Sequence, residues 1–228
     1  MRNIAIIPAR GGSKRIPRKN IKPFMGKPIL AYSIKAALES KLFDEVMVST
    51  DDEEIAAIAK AQGANVPFLR TERTANDYAT LNDVVNEVIG EYRKEGILFD
   101  NFCCLLSTAP FVTPDDLTNA YDLLLRSSFD TIRPVVKFSY PIQRAFRLEE
   151  NGAVDFLFPE YKNSRSQDLV AAYHDAGLFY WGKVVPGLES PNRGAIVISE
   201  SKCQDIDTLE DWAIAEQKYK IMESWNGR

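Results

Sequence analysis

Apolar residues open the chain as one compact run, and the stretch from Asn3 through Ile4, Ala5, Ile6 and Ile7 to Pro8 predicts a buried strand. Leu30, Ile34, Ala37 and Leu38 then recur at helical spacing and predict a helix over residues 29–40. Residues 45–49 predict a second strand. Thr50, with Glu53 three residues on, suits a capping box, and Ile55, Ile58, Ala59 and Gln62 carry that helix to Gly63. Thr80 and Asp83 open a further helix whose apolar face is Leu81, Val84, Val85, Val88, Ile89 and Tyr92. A strand follows at 102–106. Thr113-Pro114-Asp115-Asp116 starts the next helix with proline at its first position, and Leu117, Tyr121 and Leu124 form its buried side. Residues 131–136 predict another strand.

Strands alternating with helices of this length imply βαβ units. The expected fold class is therefore α/β, a Rossmann-like, mostly parallel sheet with helices on both faces. In such sheets ligands sit beyond the carboxyl ends of the strands. From 137 to about 175 the alternation breaks down. Asn151-Gly152, between Phe146-Arg147-Leu148 and Val154-Asp155-Phe156, predicts a hairpin turn there. We read this stretch as an inserted flap or subunit-contact arm within a single domain spanning 1–228. Strands return at 177–181 and 195–198, and Thr208 caps a last helix carrying Leu209, Trp212, Ala215 and Tyr219.

Charge adds a clue that the apolar pattern lacks. The net charge is −4, yet no Asp or Glu precedes Glu39, while Arg2, Arg10, Lys14, Arg15, Arg18, Lys19, Lys22, Lys27 and Lys35 all lie before it. An acidic protein with an acid-free basic head gives no global reason to bind nucleic acid or membrane. No apolar run approaches the ~20 residues that span a bilayer. The strand-like start lacks a signal pattern, and three cysteines without metal spacing argue against a disulfide framework. The expected compartment is the cytoplasm.

The basic head is concentrated in Arg10-Gly11-Gly12-Ser13-Lys14-Arg15-Ile16-Pro17-Arg18-Lys19-Asn20, directly after the first strand. Glycines let backbone amides approach a phosphate, and Arg10, Lys14 and Lys19 could neutralise a triphosphate. The loop is neither a P-loop nor a dinucleotide fingerprint. A solvated basic loop is the plainer alternative, and a nucleic-acid contact another. Near the other end, Asp205-Ile206-Asp207-Thr208 puts two carboxylates on one face of an extended segment, an arrangement suited to a hard divalent cation. The same residues precede a helix, where they would serve as caps. His174 is the only histidine; composition alone favours a structural role for it.

The run from Ile6 to Lys14, with Pro17-Arg18-Lys19-Asn20 and Gly26-Lys27-Pro28-Ile29-Leu30, closely resembles the opening of the CMP-sialic acid synthetase-like cytidylyltransferases. The likeness extends from Ile4 to Trp212. It implies a nucleotide-diphospho-sugar transferase type of fold, with CTP and an acidic nine-carbon sugar as partners. It further implies Mg²⁺ on Asp205 and Asp207, and a homodimer formed through the arm. Arg10, Lys14, Lys19, Asp205 and Asp207 are the expected catalytic set. Ala9, Gly11, Gly12, Ser13, Asn20, Arg70, Ala79 and Thr80 would meet the nucleotide. Leu106, Ser107, Thr108, Arg165, Gln167, His174 and Asp175 would face the sugar, Arg165 as partner of a carboxylate or phosphate. Two departures narrow the resemblance. Leu106 stands where the sialic acid enzymes usually have glutamine, and Tyr173-His174-Asp175-Ala176-Gly177 replaces their Arg-x-Asn-Gly. With Phe138-Ser139-Tyr140-Pro141-Ile142-Gln143-Arg144, these resemble the branch that activates pseudaminic acid. Legionaminic, N-acetylneuraminic and 3-deoxy-octulosonic acids are alternative acceptors.

Overall fold

In the computed structural model, which describes residues 1–226, the chain begins with β1 (Asn3–Pro8), followed by a tiny hairpin of β2 (Pro23–Phe24) and β3 (Lys27–Pro28). Next come α1 (Leu30–Ser40), β4 (Glu45–Ser49), α2 (Glu53–Ala61), a single helical turn α3 (Glu72–Ala75) and α4 (Leu81–Lys94). β5 (Asn101–Leu105), α5 (Pro114–Arg126) and β6 (Thr131–Lys137) continue the alternation. The arm holds β7 (Phe146–Leu148) and β8 (Val154–Phe156), paired only with each other. β9 (Tyr173–Asp175), β10 (Phe179–Lys183), β11 (Arg193–Val197) and α6 (Leu209–Asn226) complete the chain.

The main sheet runs β11-β6-β10-β5-β1-β4, with β9 beside β6. β1 lies parallel to β4 and β5, and β6 parallel to β11. β10 enters between β5 and β6 in the opposite sense. That reversal is invisible in an apolar run, because direction depends on how the chain returns. Here it returns through the arm, and β9 and β10 together form one nearly continuous antiparallel excursion along β6. Gly182 on β10 is required by proximity: a Cβ there would sit 2.6 Å from the Phe102 ring.

β1 reads as an unbroken apolar run because helices cover both faces. Ala5 and Ile7 join Val46, Val48, Cys103 and Leu105 under α1, α2 and α5. Ile4 and Ile6 join Met47, Phe102 and Cys104 under α4. A third cluster matters most for function. Ile16 and Phe24 of the basic loop are buried with Phe111, with Ile206 between the two aspartates, and with Trp212 and Ala215 of α6. Phe24 meets Tyr32, Trp212 and Tyr219 edge-on, at ring separations of 5.5, 5.6 and 5.5 Å. Each large side chain buried this way is worth about 1.5–3 kcal/mol. The loop that looks solvated in sequence is thus anchored to the segment carrying Asp205 and Asp207.

One cap differs from expectation. α2 is capped by Asp52, whose side chain accepts from the Ile55 amide, whereas the Thr50 hydroxyl accepts from the Asp52 amide. Both residues are good caps, and β4 runs to Ser49, leaving Thr50 too close to the strand to start the helix. α4 and α5 have the expected capping boxes, Thr80 with Asp83 and Thr113 with Asp116.

Candidate active site

The loops after β1 and β5, with Arg70 and the stretch from Asn76 to the first turns of α4, enclose a cleft of about 530 Å³ at the carboxyl end of the parallel strands. Arg10, Ser13, Lys14, Lys19, Asn20, Arg70, Ala79, Thr80, Leu106, Ser107 and Thr108 all line it, so most of the expected residues converge. Asn20 joins two walls: its amide donates to the Arg10 carbonyl at 2.8 Å, and its oxygen accepts from the Ser107 hydroxyl at 2.9 Å. Arg70 forms part of the floor. It is 8% exposed, and its guanidinium donates to the Ser49 carbonyl at 2.6 Å, the Ser49 hydroxyl and the Thr74 carbonyl. Burial lowers its pKa from the ordinary guanidinium value.

The glycines are used differently from a simple phosphate cradle. The Ala9 amide donates to the Ser49 carbonyl at 2.9 Å, which leaves it no proton for a ligand. The Gly11 amide donates to Asp51 Oδ1 at 2.9 Å, and a Cβ on Gly11 would lie 2.8 Å from Asp52 Oδ2. Gly11 is glycine because the loop turns against α2. Gly12 faces open space.

Arg18 ties the loop to the start of α2, with both terminal nitrogens on the Asp52 carboxylate and one also 2.5 Å from Glu54. The Arg18 hydrogen bonds hold the Asp52 carboxyl down to about 2. A carboxyl depressed in the folded state stabilises above its unfolded pKa of about 4 and loses that contribution as pH falls through about 2. Asp52→Asn keeps a capping oxygen but removes the charge. It should cost at most about 1 kcal/mol near neutral pH, because Arg18 is partly solvated. Urea unfolding of both proteins across pH should show the difference constant above pH ~4 and gone near pH ~2.

Asp77 also lines the first cleft. It caps nothing; its carboxylate pairs with Arg10 at 2.7 Å and with Lys14. Two of the cations expected to meet phosphates are therefore held by an internal anion, and those two cations in turn hold the Asp77 carboxyl below its usual range, Lys14 most strongly. Asp77→Asn should tighten CTP binding roughly threefold by freeing both cations, as titration calorimetry would register. Weaker binding would mean that Asp77 itself touches the nucleotide.

A second cleft, about 560 Å³, adjoins the first and shares Leu106 and Thr108 with it. Its other walls include His174, Asp175, Tyr180, Glu200, Cys203, Gln204, Asp205 and Lys218. Asp175 is held rigidly: Oδ1 accepts from the Gly177 amide at 2.7 Å and the Tyr180 hydroxyl at 3.1 Å, and Oδ2 from Arg133 at 3.2 Å. Burial, then Asp175, pushes the Tyr180 phenol up. His174 Nδ1 lies 2.9 Å from the Asp175 carbonyl, which can only accept, so Nδ1 is the donor of that bond.

Segment 205–207 runs between the clefts. Asp205 faces the second, Ile206 is 2% exposed, and Asp207 pairs with Arg15 at 2.7 Å and Lys19 at 3.5 Å. Lys19 also donates to the Ile206 carbonyl at 2.8 Å. Among the described residues no group of three or more His, Cys, Asp or Glu side chains could hold a metal by itself. Arg165 and Gln167 lie outside both clefts. Arg165 pairs with Asp168 at 2.7 Å, and Gln167 lines a separate depression at the base of the arm. Sequence reasoning did not single out Arg15, Glu200 and Lys218, which line the clefts because the fold brings distant parts of the chain together; the basic spacing of the loop hinted only at Arg15.

Residues 4–190 match the family model described as Cytidylyltransferase. The chain is 44% identical over 226 residues to a pseudaminic acid cytidylyltransferase of Campylobacter jejuni, covering 97% of each. It is 32% identical to a CMP-N,N'-diacetyllegionaminic acid synthase of Legionella pneumophila, covering 98% of this chain and 97% of that one. Among solved structures, a CMP:2-keto-3-deoxy-manno-octonic acid synthetase complexed with CTP matches with a TM-score of 0.69 at 17% identity, over 98% of this chain and all of that one, which establishes the likeness of fold. With the sequence match spanning both clefts and the fold agreeing, the chain belongs to the cytidylyltransferase family of nucleotidyl-transferring enzymes.

Proposed function

We propose that the chain transfers CMP from CTP to the anomeric hydroxyl of a nonulosonic acid, pseudaminic acid in particular. The observation that carries the reading is the pair of adjoining clefts, one lined by Arg10, Lys14, Arg15 and Lys19, that meet at Leu106 and Thr108. A triphosphate suits the basic cleft, a sugar the other, and their shared edge is where the two substrates would react. The sugar hydroxyl oxygen forms a bond to the α-phosphorus, the bond to the bridging oxygen breaks, and pyrophosphate leaves with that electron pair. The hydroxyl proton passes to solvent water. Little covalent chemistry is asked of the protein, so positioning and charge dominate. The Campylobacter relative supports pseudaminic acid as the acceptor.

Asp205 and Asp207 fit Mg²⁺ by the chemistry of the donors: two hard carboxylates flank a buried Ile206, and such an ion takes its remaining ligands from phosphates and water. When bound, the ion would neutralise charge on the transferring group. Lys19 and Arg10 would hold the phosphates, and Asn20 would keep the loop against Ser107. A homodimer fits the arm, where Tyr140, Phe146, Leu148, Val154 and Val170 are all exposed. An isolated two-stranded hairpin is marginally stable, and such apolar surface marks contact sites. No helix among the described residues is long and apolar enough to cross a membrane.

Pyrophosphate release with CTP and Mg²⁺, run in parallel on pseudaminic, legionaminic and N-acetylneuraminic acids, tests the reading. Release with pseudaminic acid well above the others is expected. Release with another sugar alone would overturn the acceptor while keeping the chemistry, and no release from protein that binds CTP would overturn the reaction.

A further inference from the structure

We infer that Lys218 on α6 is the cationic contact for the carboxylate of the sugar acid in the second cleft. The inference rests on the reading above, that this cleft receives an anionic sugar. The cleft is a poor place for one as it stands, because Asp175, Glu200 and Asp205 all line it. Lys218 is the single Lys or Arg among its lining residues. Arg133, the next cation, is committed to Asp175 at 3.2 Å and stacks over the Tyr180 ring at 5.3 Å. Arg165 is outside the cleft on Asp168.

Lys218 is placed for the task by backbone rather than by an opposing charge. Its Nζ donates to the Cys203 carbonyl at 2.7 Å and reaches the Glu200 carbonyl at 3.5 Å, and among the described residues it forms no ion pair. An ammonium has three protons, so two carbonyls leave one donor and the full positive charge for a ligand. Neutral carbonyls orient the group without cancelling it. The helix that carries Lys218 starts at Leu209, two residues after Asp207, and its Trp212 and Ala215 are buried with Ile16 of the basic loop. The position of the ammonium is thereby fixed relative to the reacting end of the nucleotide. Holding the carboxylate, which is attached to the anomeric carbon, would aim the adjacent hydroxyl.

The test is steady-state kinetics of wild type, Lys218→Gln and Lys218→Arg, with the sugar acid and with its neutral carboxamide. Glutamine keeps a donor for the Cys203 carbonyl and removes the charge, so folding is preserved. In Lys218→Gln the KM for the acid should rise about tenfold or more, with the KM for CTP unchanged, and Lys218→Arg should recover most of the loss. Wild type should prefer the acid to the carboxamide, and Lys218→Gln should lose that preference. An unchanged KM for the acid, a retained preference, or equal rises for sugar and CTP would overturn the assignment. Wild type inactive on every sugar acid would instead overturn the proposed reaction, which the wild-type arm reports by itself.

Discussion

Replacing Asp207 with alanine should lower pyrophosphate release at least about 10³-fold while leaving CTP binding and the thermal transition close to wild type. The separation of these effects follows from what the residue touches. Its carboxylate pairs with Arg15 and Lys19, both lining the first cleft. Capping of α6 belongs to its neighbours. The Asp211 carboxylate accepts from the Thr208 amide and hydroxyl at 2.8 Å each, and the Thr208 hydroxyl accepts from the Asp211 amide at 3.1 Å. The Asp207 side chain takes no part, so the competing explanation of this aspartate as a helix cap has no contact to support it. Removal also frees Arg15 and Lys19 from an internal anion, which should hold or slightly raise CTP affinity. Isothermal titration with CTP, a melting scan and a release assay over a range of Mg²⁺ separate these outcomes. Near-normal turnover in Asp207→Ala would remove the proposed ion from this position.

The parts of the molecule that were legible in sequence are those set by local rules. β1, α4 and α5 follow from an apolar run, a helical period and a capping box, each contained within a few residues. The hairpin at Asn151-Gly152 is equally local. The reversal of β10 was not legible, because it depends on the return path through the arm. The site divides along the same line. The basic loop announces its residue types, but the partners of those residues lie far along the chain: Asp77 for Arg10 and Lys14, Asp52 for Arg18, Asp207 for Arg15. Charge composition alone made the loop look free to meet a ligand. The fold instead gives nearly every cation an internal counter-ion, and ligand binding becomes an exchange of partners. Arg165 is the opposite case: its motif is suggestive, and its side chain pairs with Asp168 three residues away, outside both clefts.

Lys19 is the cation for which exchange is least complete, and Lys19→Met should lower turnover about 10²–10³-fold. Its side chain is 22% exposed, less than that of Arg15 at 68% or Lys14 at 79%, so its charge is less screened. It stands on the single turn Lys19–Ile21, next to Arg18 in the left-handed region at φ 56°, and that turn is fixed by the Arg18–Asp52 pair. From there Nζ reaches the Ile206 carbonyl and the Asp207 carboxylate together. It is the contact by which the basic loop positions segment 205–207. Two losses should therefore appear in one variant, a charge withdrawn from the phosphates and a looser carboxylate pair beside them. Residues that act as a unit are not additive in their effects. The double variant Lys19→Met/Asp207→Ala should fall below Asp207→Ala by clearly less than the full single effect of Lys19→Met, because removing the carboxylate already disables what Lys19 positions and leaves only the charge on the phosphates to lose. Single-turnover rates on the four proteins give the comparison. A double variant slower by the product of the two single effects would mean that Lys19 acts only on the phosphates, and that the link through Ile206 and Asp207 is structural.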